Sequence, residues 1–171
     1  EAFRQRMARS IGQHMLFVEQ NLSDEPYANT HLVGEAAVLV AGGLFLRCAH
    51  SRRWLKQGLR HLEEQARLQV LPDGAHAEQS PAYHRFCLDH YYLIDALLRA
   101  NDLAFSSATL QTMERMTQFM VDMLFPDGTA ANFGDNDDAR GLWCRADAPS
   151  DYRSLAALGA ARFGRGDFKH A

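Results

Sequence analysis

Apolar side chains recur every three or four residues along most of this chain, and this spacing most constrains its fold. The first 22 residues carry one such stripe, formed by Phe3, Met7, Ile11, Met15, Val18 and Leu22. This period places the side chains on one face of an α-helix, whereas a strand would alternate apolar and polar residues. We find no sustained alternation and no strong hairpin signal. The sequence therefore predicts an all-α fold.

The same spacing predicts further helices, at about 31–47, 52–71, from 81 onward, 107–125 and 151–163. Residues that cap helix N-termini precede them, namely Asn29 or Thr30, Ser51, Ser80 with Pro81 at the first helical position, and Ser150. The second, fourth and sixth helices are rich in apolar or small residues, while the third and fifth are more amphipathic. This alternation predicts antiparallel helical hairpins arranged in an inner and an outer layer. Gly42 and Gly43 are expected to allow close helix packing.

A short string recurs along the chain. Leu71-Pro72-Asp73-Gly74 follows the third helix, and Phe125-Pro126-Asp127-Gly128 follows the fifth, 54 residues later. The recurrence is typical of arrays built by stacking helix pairs, although Pro-Asp-Gly is also favourable turn chemistry by itself. In such an array the loops at 23–30, 72–80 and 126–148 open on one face, where function is most often found.

Composition excludes several classes of protein. The formal net charge of −3 lacks the basic excess of a nucleic-acid binder. No apolar run is long enough to span a membrane; Leu32 to Leu46 comes closest and is interrupted by polar and glycine residues. The cysteines, Cys48, Cys87 and Cys144, form no CxxC pair and are expected to be small buried groups. We read no targeting signal, and a start at Glu1 suggests that the native N-terminus is missing.

The first polar loop carries Asn29, Thr30, His31 and Glu35. One interpretation is a helix cap alone. The other is an anion site, because free N–H groups and the macrodipole at a helix N-terminus favour negative charge. His31 and Glu35 have i, i+4 spacing, but a metal pair needs more ligands nearby. We predict no metal site.

The second polar loop leads into Tyr83, His84 and Arg85 in the first turn of a helix. Tyr83 could simply pack against its neighbours. Alternatively, a phenol beside an imidazole forms an acid–base set, and the pKa of a free tyrosine, near 10, requires cationic neighbours before it can act as a base. His84 and Arg85 are the candidates for these neighbours.

The third polar loop carries Asp135, Asp137, Asp138 and Arg140. Its acidic spacing resembles a calcium loop, but the glycine and closing glutamate of an EF-hand are misplaced. It is either a solvated turn or a segment in which Asp135 or Asp137 orients a neighbouring residue or pairs with Arg140.

Together these segments resemble the N-terminal helical domain of heparinase II/III-type polysaccharide lyases and their alginate-lyase relatives. The strings that carry the resemblance are Asn29-Thr30-His31-Leu32-Val33-Gly34-Glu35-Ala36, Leu71-Pro72-Asp73-Gly74, Glu78-Gln79-Ser80-Pro81-Ala82-Tyr83-His84-Arg85 and Gly134-Asp135-Asn136-Asp137-Asp138-Ala139-Arg140. They occur in the family's order. The resemblance implies that residues 1–171 form a single helical domain that is part of an incomplete (α/α) toroid.

The resemblance also implies β-elimination on a uronic-acid polysaccharide. An Asn, with a neighbouring His, neutralises the carboxylate; a Tyr protonates the departing oxygen; a His or Tyr removes the C5 proton. These catalytic roles fall on Asn29, His31 and Tyr83, with His84 a weaker candidate. Many relatives have Asn-Asn-His where this chain has Asn-Thr-His, so Thr30 is an alternative carboxylate ligand. The further substrate-binding candidates are Thr30, Glu78, Arg85, Asp135 and Arg140.

By the same resemblance, a β-sandwich domain that completes the cleft is absent from these residues, and the protein is periplasmic or secreted. We therefore expect a piece of a longer chain that is inactive alone. Its expected partners are an acidic polysaccharide and that β-sandwich domain, with no nucleic acid, no membrane span and no cofactor in this segment. Arg85, Arg140 and Arg145 suit an anionic substrate without identifying it.

Two other functions remain open. A toroidal glycoside hydrolase would use carboxylates such as Glu78 and Asp135 as acid and base. A non-catalytic helical module would bind a glycan or a protein without turnover. If helices one and six normally pack on neighbours outside this segment, their apolar faces should also cause self-association.

Overall fold

The structure, a computed structural model, describes residues 2–23, 29–136, 139–142 and 150–170. These residues form α1 (Ala2–Gln20), α2 (Thr30–Phe45), α3 (Ser51–Leu68), α4 (Pro81–Arg99), α5 (Ser107–Asp122), α6 (Arg153–Phe163) and a 3₁₀ helix (Gly166–His170). Within these ranges β-pairing is limited to three isolated bridges. The predicted all-α fold is confirmed.

The contact between α2 and α3 depends on two glycines. A Cβ at Gly58 of α3 would lie 2.6 Å from the carbonyl oxygen of Ala36, and one at Gly43 of α2 would lie 2.6 Å from the backbone nitrogen of Leu55. Real side chains do not approach backbone this closely, so the glycines allow the two helices to touch along their backbones. The predicted role of Gly43 in close packing is confirmed.

Helix α4 lies at the centre of the core. Its buried side chains include Cys87, Leu88, Tyr91, Ile94 and Leu98. The Tyr91 hydroxyl donates to the Leu62 carbonyl of α3 at 2.9 Å, and the Tyr92 hydroxyl lies 2.6 Å from the Thr117 hydroxyl of α5. Because α4 contacts α2, α5 and α6, it fixes the directions of the helices that carry the polar loops.

The predicted caps are confirmed at two helices. Asn29 Oδ1 accepts the His31 N–H at the start of α2, and Ser80 Oγ accepts the Tyr83 N–H at the start of α4. Two other predictions are wrong. The capping position of α3 is His50, and the Ser51 hydroxyl donates instead to the Leu46 carbonyl.

At α6 the capping position is Tyr152 rather than Ser150, and it makes no side-chain cap. The carboxylate of Asp151 caps the helix instead, because its Oδ1 accepts the Arg153 N–H at 3.0 Å.

The repeated Pro-Asp-Gly turns have matching geometry. In the first, Leu71 N–H donates to the Ala75 carbonyl at 2.9 Å, and in the second Phe125 N–H donates to the Thr129 carbonyl at 2.7 Å. The glycines, Gly74 and Gly128, have φ values of +95° and +85°. The sequence repeat is therefore a structural repeat, with the same turn after α3 and after α5.

The apolar stripe of α1 is largely uncovered in the described structure. Phe3, Met7 and Ile11 are 66%, 44% and 42% exposed, while Met15 is buried against Leu39 and Trp54. The expected self-association depends on uncovered apolar faces at both terminal helices, and α6 differs from α1 in this respect. Its buried residues, Leu155, Ala156, Gly159 and Ala160, belong to a face covered by α4, α5 and the 3₁₀ helix.

The cysteines were predicted to be buried, and no segment was predicted to span a membrane. Cys87 is buried as predicted, Cys48 is exposed contrary to prediction, and Cys144 lies outside the described residues. Of the helices that the structure describes, none has the length and apolar content to cross a membrane.

Candidate functional site

Three polar segments meet at the start of α2 and α4. The Thr30 N–H donates to Glu78 Oε1 at 2.6 Å, and the Ser80 hydroxyl donates to the Asp135 carbonyl at 2.5 Å. The Tyr83 hydroxyl donates to Asp135 Oδ2 at 3.2 Å. We call the surface formed by 29–31, 78–83 and 135 the rim. The prediction that the polar loops open on one face holds for their described parts.

Asn29 is held from both ends of its side-chain amide. Oδ1 accepts the His31 N–H at 2.9 Å, and Nδ2 donates weakly to the Ser23 carbonyl at 3.4 Å. Ser23 is itself fixed, because Glu35 accepts both its N–H and its hydroxyl at 2.7 Å. Asn29 is half-exposed, and its amide nitrogen carries a second N–H besides the one directed to Ser23, so it retains a hydrogen-bond donor.

The N-terminus of α2 already holds an anion, and it comes from the protein. Glu78 Oε1 accepts the Thr30 N–H and Asn29 Oδ1 accepts the His31 N–H. The expected free N–H groups for a substrate anion are therefore occupied at these two residues. The macrodipole favours the carboxylate of Glu78 here, which assigns that residue to the stability of the α2 start.

Tyr83 and Asp135 form the pair nearest to solvent on the rim. Tyr83 is half-buried in the first turn of α4, and the exposed Asp135 accepts its hydroxyl hydrogen. In this arrangement the carboxylate orients the phenol hydroxyl through the hydrogen bond that it accepts. The structure thus places Asp135 where it orients Tyr83, one of the two roles foreseen for it.

His84 lies behind the rim. Its imidazole is 2% exposed, Nε2 lies 2.9 Å from the Met116 carbonyl, and Nδ1 has no hydrogen-bond partner among the residues that the structure describes. Burial lowers the pKa of His84 to about 4, more than the Met116 carbonyl raises it. Tyr83 and His84 lie about 100° apart on α4, and the structure leaves Tyr83 half-exposed while His84 is buried beside Met116 of α5. The expected cationic imidazole beside Tyr83 is wrong.

Arg85 also points into the protein rather than to substrate. It is 3% exposed, donates to the Asp151 carbonyl at 2.6 Å, and lies 3.9 Å from Asp89. Asp89 Oδ2 accepts the N–H groups of Gly141 and Leu142, and burial raises the pKa of Asp89 to about 6. Arg85 and Asp89 therefore anchor two loops behind the rim, and the expected substrate contact of Arg85 does not match its burial.

Arg140 contributes to the same buried charge cluster. It is half-buried, and its positive charge opposes the rise that burial causes in the pKa of Asp89. The pKa of Arg85 is lowered mainly by burial, and the charge of Arg140 acts in the same direction. Asp137, Asp138 and Arg145 lie outside the described residues.

His31 is the exposed imidazole of the rim. Glu35, its i+4 neighbour, is occupied by Ser23, so the pair does not form the start of a metal site. Across the described ranges, no three His, Cys, Asp or Glu side chains are grouped closely enough to bind a metal ion.

A cavity of about 260 Å³ lies between the second loop, α4 and α5. Its lining includes His76, Ser80, His84, Phe119 and Phe133. His76 and the neighbouring Gln69 were missed by the sequence reasoning. A comparison of the two repeated turns could have found His76, because the equivalent position of the second turn is Ala130.

Comparison with known proteins gives one consistent result. The family described as "Heparinase II/III N-terminus" matches residues 1–151. A heparin-sulfate lyase of Pedobacter heparinus is 27% identical over 137 residues, which cover 79% of this chain and 20% of the relative. A heparin-sulfate lyase of Bacteroides stercoris is 30% identical over 111 residues, covering 61% of this chain and 16% of the relative.

Solved structures show the same fold. The crystal structure of a heparan sulfate lyase, HepC, from Pedobacter heparinus matches 98% of this chain and 26% of its own chain, with a TM-score of 0.69 and 23% identity. A heparinase III gene product matches 90% of this chain and 23% of its own, with a TM-score of 0.69 and 24% identity. The predicted arrangement, part of a helical toroid, is confirmed. The matched part of this chain covers between 16% and 26% of the length of these relatives and solved structures.

Proposed function

The chain belongs to the heparinase II/III family, in its N-terminal region, and we propose that it is part of a polysaccharide lyase. The proposed reaction is β-elimination on a uronic-acid polysaccharide, carried out by the complete protein. The observation that supports it best is that the start of α2, which carries the Asn29 amide and the His31 imidazole, and the start of α4, which carries the Tyr83 hydroxyl, belong to one hydrogen-bonded rim.

Binding of the uronate carboxylate is the first step. The C5 proton becomes acidic enough only when hydrogen-bond donors neutralise the adjacent carboxylate, so donors aimed at it stabilise the transition state. Asn29 is half-exposed with its amide nitrogen at the rim, whereas Thr30 is buried and its N–H is taken by Glu78. We therefore assign the carboxylate to Asn29 rather than to Thr30.

Proton transfer completes the elimination. A base removes the C5 proton, the C4–O bond breaks, a C4–C5 double bond forms, and the departing glycosidic oxygen takes a proton. Tyr83 supplies that proton, because Asp135 orients its protonated hydroxyl at the rim. Among the imidazoles, His31 is exposed and His84 is buried and neutral, so the substrate contact is assigned to His31.

The remaining candidates contribute indirectly. Glu78 holds the start of α2, and Asp135 orients Tyr83. Arg85 holds a loop behind the rim together with Asp89, and Arg140 adds its charge beside them. The positive charges of Arg85 and Arg140 add to the local attraction for an acidic polymer.

A glycosaminoglycan of the heparan type is the proposed substrate, with alginate as the alternative. The names of the curated relatives favour the former. The same family membership supports a bacterial protein that acts in the periplasm or outside the cell, with a β-sandwich domain elsewhere in the chain as partner to this segment.

The test uses the complete protein and a panel of heparan sulfate, heparin, alginate and other uronic-acid polysaccharides. Elimination creates an unsaturated uronate, so ultraviolet absorbance should rise with at least one substrate. Absence of any cleavage across the panel would contradict the proposal.

Hydrolysis is the second candidate, because two carboxylates, Glu78 and Asp135, lie on the rim. It predicts chain cleavage without new absorbance, and loss of turnover in Glu78→Gln but not in Tyr83→Phe. A binding module would instead show altered affinity in rim variants and no product.

A further inference from the structure

We propose that Gln69 and His76 are positioning residues that fix Asn29 and Glu78 for the proposed elimination. This inference rests on the proposed function. Both residues are buried beneath the rim, Gln69 at the end of α3 and His76 in the turn that follows it. Neither reaches the surface, so they act through the residues that they hold.

Gln69 links three segments through one side-chain amide. Its Nε2 donates to the Asn29 carbonyl at 2.9 Å and to Gln65 Oε1 at 2.6 Å. Its Oε1 lies 3.0 Å from Nε2 of His76. Both amide hydrogens and one oxygen lone pair are therefore used, and a flipped amide would oppose its oxygen to two acceptors.

His76 is held as a neutral imidazole of one tautomer. Its Nδ1 accepts the Glu78 N–H at 3.3 Å, so the ring proton lies on Nε2 and is donated to Gln69. Burial, with a smaller contribution from the nearby His84, lowers the pKa of His76 to about 4. A neutral ring that donates at one nitrogen and accepts at the other ties the second loop to α3.

The second turn shows that the fold does not require this network. The positions 54 residues after Gln69 and His76 are Met123 and Ala130, yet the second turn keeps two backbone hydrogen bonds of the first, from Phe125 N–H to the Thr129 carbonyl and from Gly128 N–H to the Phe125 carbonyl. The bond from Ala77 N–H to the Gln69 carbonyl belongs to the first turn. An isolated bridge forms at both turns, Val70 with His76 and Leu124 with Ala130. The polar network is present only in the turn that faces Asn29.

As a consequence, Asn29 is fixed at two points, its backbone carbonyl and its side chain. Gln69 holds the backbone carbonyl of Asn29, while the cap to His31 N–H holds its side chain. His76 holds the backbone of Glu78, whose carboxylate holds Thr30. Loss of the imidazole therefore loosens the start of α2 from two directions.

The first test measures elimination by the complete protein carrying His76→Ala. Alanine is the residue that the second turn tolerates, so the fold should persist while kcat falls by about tenfold or more, because small misplacements of substrate-binding groups are costly. His76→Gln, which restores a donor toward Gln69, should recover part of the loss. Tyr92→Phe, which removes a buried hydrogen bond between α4 and α5, is the control and should keep wild-type turnover.

The second test does not depend on activity. Hydrogen exchange is followed at the Thr30 and His31 amides, which are bonded to Glu78 and Asn29. Exchange there should accelerate at least tenfold in His76→Ala and stay unchanged in Tyr92→Phe.

The outcomes separate the two claims. A wild-type protein that cleaves no polysaccharide contradicts the proposed function, while the exchange data still decide whether His76 holds the rim. Unchanged exchange at Thr30 and His31 in His76→Ala overturns the positioning role, as does unchanged turnover in an active protein.

Discussion

The side chain of Asn29 uses the two ends of one amide differently. Its oxygen caps α2 through the His31 N–H, and its nitrogen remains at the rim as a donor. Stability and proposed catalysis therefore depend on different atoms of the same residue, and substitutions can separate them.

Asn29→Asp and Asn29→Ala form a matched pair for this separation. Aspartate caps a helix as well as asparagine, but it has no N–H donor and adds negative charge near a substrate carboxylate. Both variants should lose about 10²-fold or more in elimination rate, while only Asn29→Ala should lose about 1 kcal/mol of unfolding free energy. Kinetics and urea unfolding check this, and near-wild-type turnover in Asn29→Asp would contradict the carboxylate assignment.

The local sequence predicted which residues form the rim better than it predicted which of their side chains are exposed and which are buried. Asn29 and Ser80 could be predicted as caps because a cap depends on residues two or three positions away. The burial of His84 could not, because Tyr83 and His84 are neighbours and only the packing of α5 decides which faces inward. Gln69 and Asn29 are 40 residues apart, so nothing local signals their contact.

At the scale of elements, helices and turns were predicted from short-range rules. Periodicity of three to four residues and apolar content are local properties, and the six α-helices of the described residues lie where the sequence predicts helices. The misplaced caps at Ser51 and Ser150 show the limit, because several nearby residues can end or begin a helix.

The repeated turns give a prediction at this scale. Gly74 and Gly128 both have positive φ, but a Cβ at Gly74 would meet the backbone carbonyl of Arg115, whereas one at Gly128 would meet the flexible side chain of Arg153. Each glycine-to-alanine change should cost about 1–2 kcal/mol for the left-handed backbone, and Gly74→Ala should cost more because backbone cannot move aside. Chemical denaturation of both variants tests this; equal losses would contradict it.

Helix α1 gives a second prediction. Phe3, Met7 and Ile11 form an exposed apolar stripe, and such faces favour association. The 171-residue chain should self-associate at high concentration, and Met7→Glu with Ile11→Lys should reduce this. Light scattering across a concentration series measures it, and a monodisperse monomer throughout would count against the prediction.

At the scale of the whole molecule, buried titratable groups couple stability to pH. The pKa values of His76 and His84 are lowered from 6.5 to about 4 by burial, so the unfolded chain binds more protons in that window. Stability should therefore be lost as pH falls from 6.5 toward 4, by up to roughly 3 kcal/mol for each histidine. Asp89 acts in the opposite sense, because its pKa is raised to about 6 and its contribution is lost as pH rises through that value.

Two histidines outweigh one aspartate, so the net change should be lower stability at pH 5 than at pH 7. Thermal unfolding followed by circular dichroism measures this, and His84→Gln should flatten the dependence. A wild-type melting temperature that does not fall between pH 7 and pH 5 would contradict the assignment of neutral buried imidazoles.

The most direct test of the central claim is the ultraviolet absorbance of unsaturated uronate formed by the complete protein. Wild type is compared with Tyr83→Phe, which removes the hydroxyl that Asp135 orients, and with Tyr92→Phe, which removes a buried hydroxyl far from the rim. We expect absorbance to rise for wild type and Tyr92→Phe, and we expect the rate of this rise to fall about 10²–10⁴-fold in Tyr83→Phe. Turnover by Tyr83→Phe equal to wild type would contradict the central claim.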